Sequence, residues 1–352
     1  MDQEGEMKLS TKIFLATTLA AVVAVPASAQ MRRNIRVVGS STVYPFTKAV
    51  SERFAAANRN VPAPIVESTG TGAGAKLFCA GVGAQHPDIL DASRRMKASE
   101  FKTCAANGVS QITEIQVGLD GLTLAQTKNG QLRNVSVKDV YMAIAAAPFG
   151  KPNRAKTWKD VNPSLPALPI RVYGPPTTSG TRSSIEDLLM NPVCDTNPSV
   201  VALKKTNEAQ YNKICKGIRE DGAYINAGEN DNLIVQKLEG DPTAVGFFGY
   251  SYLEENASRL RGVSLNGVEP TYATISTFKY PGARALYIYV KNAHAQAIPG
   301  IRQFVAEYVK EGTFGPNGYL KNAGIVASPD AIRSRAAKFG TTLTPMNGAV
   351  LK

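Results

Sequence analysis

Short β-favouring runs alternate along most of the chain with stretches whose apolar residues recur at three- and four-residue steps. Arg36-Val37-Val38 predicts a strand, after which Phe46, Val50 and Phe54 share one helix face. Residues 63–67 predict a second strand and 68–78 a glycine-rich turn opening a helix. A third strand runs through 88–92 and ends at Ser93-Arg94. Residues 111–118 alternate, and Leu119-Asp120-Gly121 passes into Leu122-Thr123-Leu124-Ala125, the pattern of a strand crossing between domains with a glycine joint. Val137, Val140, Tyr141 and Ile144 predict a helix, and the Pro/Lys-rich stretch 148–169 around Trp158 predicts a surface excursion. A strand at Ile170-Arg171-Val172-Tyr173 leads through Gly174-Pro175-Pro176 to a helix carrying Ile185, Leu188 and Leu189, with Ser183 and Glu186 at capping-box spacing. The Asn-rich stretch 191–217 predicts irregular chain. Residues 231–238 then predict a helix, 241–248 a turn and strand, 284–290 the strongest strand, and 298–310 and 329–338 the closing helices. Strands alternating with helices place the chain in the α/β class with largely parallel sheets, and 352 residues suffice for two domains.

The N-terminus changes this picture first. Lys8 and Lys12 precede an apolar run over 13–25, followed by Pro26-Ala27-Ser28-Ala29, which predicts a secretory signal peptide over 1–29, cleaved after Ala29. Met7 is an alternative start, because Asp2, Glu4 and Glu6 suit a signal peptide poorly. An exported chain suits four cysteines, and their spacing favours local disulfides, Cys79 with Cys104 and Cys194 with Cys215, among three connectivities. A net charge of +12 suits anionic ligands, yet no run of five basic residues and no interleaving of aromatic with basic residues points to nucleic acid.

The candidate chemistry lies in three Ser/Thr/Gly-rich turns that each open a helix: 39–45, 68–74 and 174–182. Unpaired N–H groups and the positive dipole end of a helix suit an anion; hydroxyls and Arg182 add donors. Neither G-x-x-x-x-G-K-[ST] nor G-x-G-x-x-G occurs, so no nucleotide cofactor is implied. Two histidines, His86 and His294, stand among residues that are not ligands, and Ser179 lacks the first glycine of G-x-S-x-G, so neither metal nor nucleophilic hydrolysis has its parts. What remains binds an oxyanion without changing it.

Gly39-Ser40-Ser41-Thr42-Val43-Tyr44-Pro45, Glu67-Ser68-Thr69-Gly70-Thr71-Gly72, Ala92-Ser93-Arg94 and Thr178-Ser179-Gly180-Thr181-Arg182 occur in an order that resembles the PstS-type phosphate-binding proteins of bacterial phosphate ABC transporters. The resemblance spans the mature chain. It implies the type II periplasmic-binding-protein fold, with lobe 1 from 31–118 and 284–352, lobe 2 from 119–283, and a hinge near 118–121 and the returning strand 284–290. It implies a periplasmic monomer that captures inorganic phosphate, without a cofactor, and delivers it to a permease. Carried over, the ligand set is Ser41, Thr42 and Val43, then Thr71, then Ser93 and Arg94, then Ser179, Gly180, Thr181 and Arg182. Some members have Asp where Arg94 stands and Arg where Pro175 stands, so Arg94 and Arg182 read as substitute cations. Asp120, with Asp91 in reserve, becomes the expected acceptor of the phosphate proton, which sulfate lacks. Alternatives are a protein of this fold for sulfate, molybdate or a phosphonate, and a secreted phosphatase acting through Ser179.

Overall fold

The computed structural model describes Met1 and residues 32–351; the remainder of the expected signal peptide, Ala29 included, lies outside the described residues. Strands β1 (Arg36–Gly39), β2 (Ile65–Ser68) and β3 (Ile89–Ala92) pair in parallel in the order β2-β1-β3. Helices α1 (Tyr44–Ala57) and α2 (Thr71–Phe78) make the crossovers, and α3 (Ala98–Ala106) follows β3. The long β4 (Ile112–Thr127) leads to the short β5 (Asn134–Val135). β6 (Val172–Gly174), β7 (Tyr224–Asn226) and β8 (Val245–Gly249) form a second parallel set, followed by β9 (Leu260–Gly262) and β10 (Ser264–Leu265). The last strand, β11 (Ala283–Lys291), runs antiparallel to both β3 and β4, and β4 runs antiparallel to β8 and β9. The sheet is therefore mixed: two parallel sets joined by an antiparallel pair.

That pair carries two main cores. Ile115 and Val117 of β4 pack with Leu286, Ile288 and Val290 of β11 and with Phe46, Val50 and Phe54 of α1. Leu119, Leu122 and Leu124 of β4 pack instead with Phe247, Phe248 and Val172. The change-over falls at Gly118, whose register partner is Leu286, and the register shifts between Leu286 and Tyr287. A smaller cluster joins α2, α3 and Tyr289.

Three expectations are corrected. Residues 191–217 are not irregular: helices occupy Pro198–Thr206 and Glu208–Cys215, with Asn197 and Asn207 accepting hydrogen bonds from the first-turn N–H groups. These asparagines are caps. Trp158, expected on a surface excursion, is buried in the second core at the start of a capped turn. The capping box at Ser183 and Glu186 does not form; Ser179 caps the helix, its Oγ accepting from the Thr181 N–H at 3.0 Å. Both disulfides take the local pairing, Cys79–Cys104 and Cys194–Cys215.

At the far end of β3 and β11, Asp88 accepts hydrogen bonds from Arg32 (2.7 Å) and the Arg36 N–H (2.7 Å) and lies 2.7 Å from His294 Nδ1. Arg32 also donates to the carbonyls of Asn34, Ala84 and His86. The Gly83 N–H donates to His294 Nε2 at 2.9 Å. His294, read as isolated, thus belongs to a polar knot. Among the described residues no helix is long and apolar enough to cross a membrane.

Candidate functional site

β1, β2, β3 and β6 each end in a turn at the same face of the molecule. Gly39, at φ +136°, allows the first turn: a Cβ there would stand 2.1 Å from the Asp91 carbonyl oxygen. The turns bring together hydroxyls remote in sequence. Thr42 and Thr181 are joined by a hydrogen bond of 3.0 Å between their hydroxyls. Thr71 Oγ1 lies 3.4 Å from Ser93 Oγ and accepts from the Ser93 N–H at 3.2 Å. Gly180 closes against this second pair, where a Cβ would lie 2.2 Å from both Ser93 Oγ and Thr71 Oγ1. Across the same seam the Gly72 N–H donates to the Thr178 carbonyl at 3.2 Å.

The cation at the centre is Arg284. Its Nη2 donates to Thr42 Oγ1 (3.0 Å) and Thr181 Oγ1 (3.2 Å), and its Nη1 to Ser184 Oγ (3.0 Å). Nε and Nη2 both donate to Asp120 Oδ2, at 2.9 and 2.7 Å. Asp120 Oδ1 accepts from the Tyr250 N–H at 2.7 Å. Asp120 and Arg284 are opposite each other in the β4–β11 register, so the ion pair is built by the ladder. Burial pushes the Asp120 carboxyl up, and Arg284 pulls it back. Asp231, at the start of helix Asp231–Gly240, is fully buried nearby and is pushed up to about 7 by burial. Its Oδ2 accepts from the Gly249 N–H at 3.4 Å.

The two arginines expected as ligands stand elsewhere. Arg94 forms a fork with Glu100, at 2.9 and 2.7 Å. Arg182 lies with Nε 3.3 Å from Glu186 and its guanidinium 5.1 Å from the Tyr224 ring centroid. Burial pushes the Tyr224 hydroxyl up to about 12, and it donates to the Pro175 carbonyl at 2.8 Å. Arg182 thus packs on the tyrosine that holds its own loop. Ser41 lies at the edge, its carbonyl accepting from Tyr252 at 3.4 Å, and the Val43 N–H faces Ser40 Oγ at 3.4 Å. Asp91 is not in the cluster; it is buried beneath α1 and pushed up to about 8 by burial, with Thr47 opposing. The structure therefore groups Thr42, Thr71, Ser93, Gly180, Thr181 and Asp120, with Ser179 as the cap behind Thr181. Arg284 is missing from the sequence-based set, although an arginine opening a strongly apolar strand demands a buried partner, and Asp120 in an equally apolar strand demands a cation.

Residues 24–311 match the PBP superfamily domain. The chain belongs to the PBP superfamily. Protein SphX of Synechococcus elongatus is 35% identical over 306 residues, covering 85% of this chain and 76% of that protein. Phosphate-binding protein PstS of Staphylococcus saprophyticus is 29% identical over 302 residues, covering 83% and 79%. Among solved structures, a possible phosphate binding protein from Planctomyces limnophilus aligns with a TM-score of 0.58 at 28% identity, over 89% of this chain and 98% of that one. Within the superfamily the chain groups with the PstS-type proteins, and its fold is the type II periplasmic-binding-protein fold. Members of this family are substrate-binding proteins.

Proposed function

We propose that this protein is an extracytoplasmic receptor that captures inorganic phosphate between two lobes and hands it to an ABC permease. One observation carries the reading: a single buried guanidinium, Arg284, donates to Thr42 after β1 and to Thr181 after β6, at the seam between the two cores. Hydroxyls that bond one another can rotate to turn their protons toward an oxyanion. Thr42, Thr71, Ser93 and Thr181 are the proposed hydroxyl ligands, with Arg284 as the cation. The Gly180 backbone packs close, and Asp120 is the carboxylate that accepts a hydrogen bond from the P–OH of monohydrogen phosphate. The lobes are those expected from sequence, hinged where β4 and β11 pass from one core to the other. The likeness to PstS-type relatives supports phosphate over other oxyanions. Ser179 has its hydroxyl engaged as a cap and both histidines belong to the distant Asp88 knot, which favours binding over ester hydrolysis. Export through a cleaved signal peptide fits the two disulfides.

The test is calorimetric titration with phosphate and sulfate after stripping carried-over anion by unfolding. Each hydrogen bond to the anion contributes roughly 1.5–3 kcal/mol, so Thr42→Val and Thr181→Val should each weaken phosphate at least about tenfold. Asp120→Asn should narrow the phosphate-to-sulfate ratio. Unchanged phosphate affinity in both threonine variants would sink the reading.

A further inference from the structure

Immediately outside the hydroxyl cluster the same backbone segments line a cavity of about 380 Å³. Lys76 comes from α2, a few residues past Thr71. Arg94 follows Ser93, and Lys97 and Glu100 follow it. Across the seam stand Thr177, Thr178 and Ser183. Three cations face one carboxylate. Glu100 holds the Arg94 Nη atoms, and it also accepts from the Lys97 N–H at 2.9 Å. Burial works against the Glu100 charge, but its bonds to Arg94 outweigh this and hold the carboxyl below its usual value. The Arg94 side chain is 9% exposed, and its Nε is buried with no hydrogen-bond partner. Neither lysine forms an ion pair among the described residues, where the Arg94–Glu100 pair is the one that lines this cavity.

We propose that this cavity is a second oxyanion site, distinct from the Arg284 cluster and weaker than it, which holds a phosphate dianion at the mouth of the cleft. Glu100 fixes the guanidinium in the cavity wall; Lys76 and Lys97 supply the charge that balances the anion, and the hydroxyls of the opposite wall supply neutral donors. Its exposed lysines make the site more sensitive to salt than a buried one. The role is to concentrate anion beside the deep cluster, which lies one residue inward along two of the lining segments. The proposal goes beyond the function proposed above and depends on it only for the choice of anion.

Equilibrium dialysis with radiolabelled inorganic phosphate at low ionic strength tests it. The full chain should bind two phosphates, one tight and one loose, and the loose one should disappear in 0.5 M salt, where the screening length falls to roughly 4–5 Å. Lys76→Gln/Lys97→Gln should abolish the loose site and leave the tight affinity within about twofold; Arg94→Gln should weaken the loose site at least about tenfold. A single phosphate at low salt that is indifferent to Lys76→Gln/Lys97→Gln, or a second phosphate that survives the double lysine variant, would overturn the proposal. Loss of the tight site alone, with a loose site still sensitive to Lys76 and Lys97, would overturn the Arg284 assignment and leave this one standing.

Discussion

Arg284 and Asp120 illustrate how a buried ion pair is kept. Neither is more than a few per cent exposed, and every hydrogen bond described for either partner ends on the other, on a hydroxyl or on a backbone N–H. Taking one charge away leaves the other desolvated and uncompensated, a cost of about 3–5 kcal/mol. Asp120→Ala should therefore lower unfolding free energy by that amount in urea titration, while Asp120→Ala/Arg284→Met should recover much of the loss. Equal stabilities for the single and double variants would mean the pair is not coupled. The residue scale is also where sequence was least informative about charge. The hydroxyls Thr42, Thr71 and Thr181 were legible because each lies where a turn after a strand opens a helix, and Ser93 because it directly follows the end of β3, so local chain geometry alone directs them to one end of the sheet. The guanidinium at their centre was not, because no local pattern says that Arg284 is opposite Asp120; that pairing exists only once β11 returns beside β4.

Among the elements, the alternation of short strands and amphipathic helices was readable wherever the period was clean, as in β1, α1 and β3. It failed between 191 and 217, where Asn and Pro serve as helix starts rather than loop formers. Those two helices end at a disulfide, Cys194 to Cys215, which closes a short loop on a helix pair with few buried residues of its own. Constraining a loop of this size is worth about 3 kcal/mol in the chain-entropy account. Cys194→Ser/Cys215→Ser should lose about that much stability, and limited proteolysis should then cut first between 195 and 210. A variant as protease-resistant as the parent would show that packing alone holds the pair. The strand crossover was legible as a joint at Gly118–Gly121, but the antiparallel return that makes the sheet mixed was not, since strand direction is set by tertiary connection.

For the whole molecule, buried carboxylates give stability a slope with pH. Asp91 is pushed up to about 8 and Asp231 to about 7, both by burial, while an unfolded aspartate titrates near its ordinary value of 3.8. Between those limits the folded protein holds protons the unfolded chain has released. The stabilisation is thus complete below the unfolded value and drains away as pH rises towards 8. Thermal melts at pH 5, 6, 7 and 8 should show the melting temperature of the parent falling relative to Asp91→Asn across that range, and parallel curves would refute the assignment. The opposite end of the sheet has a different consequence. Arg32 ties the first described stretch of chain to Asp88 and to three carbonyls, so the knot begins only three residues after Ala29. A peptidase trimming anywhere up to Met31 spares it, and an affinity handle or lipid tether spliced ahead of that point leaves it intact; shortening by a single residue more would cut a mooring line that belongs to the sheet itself.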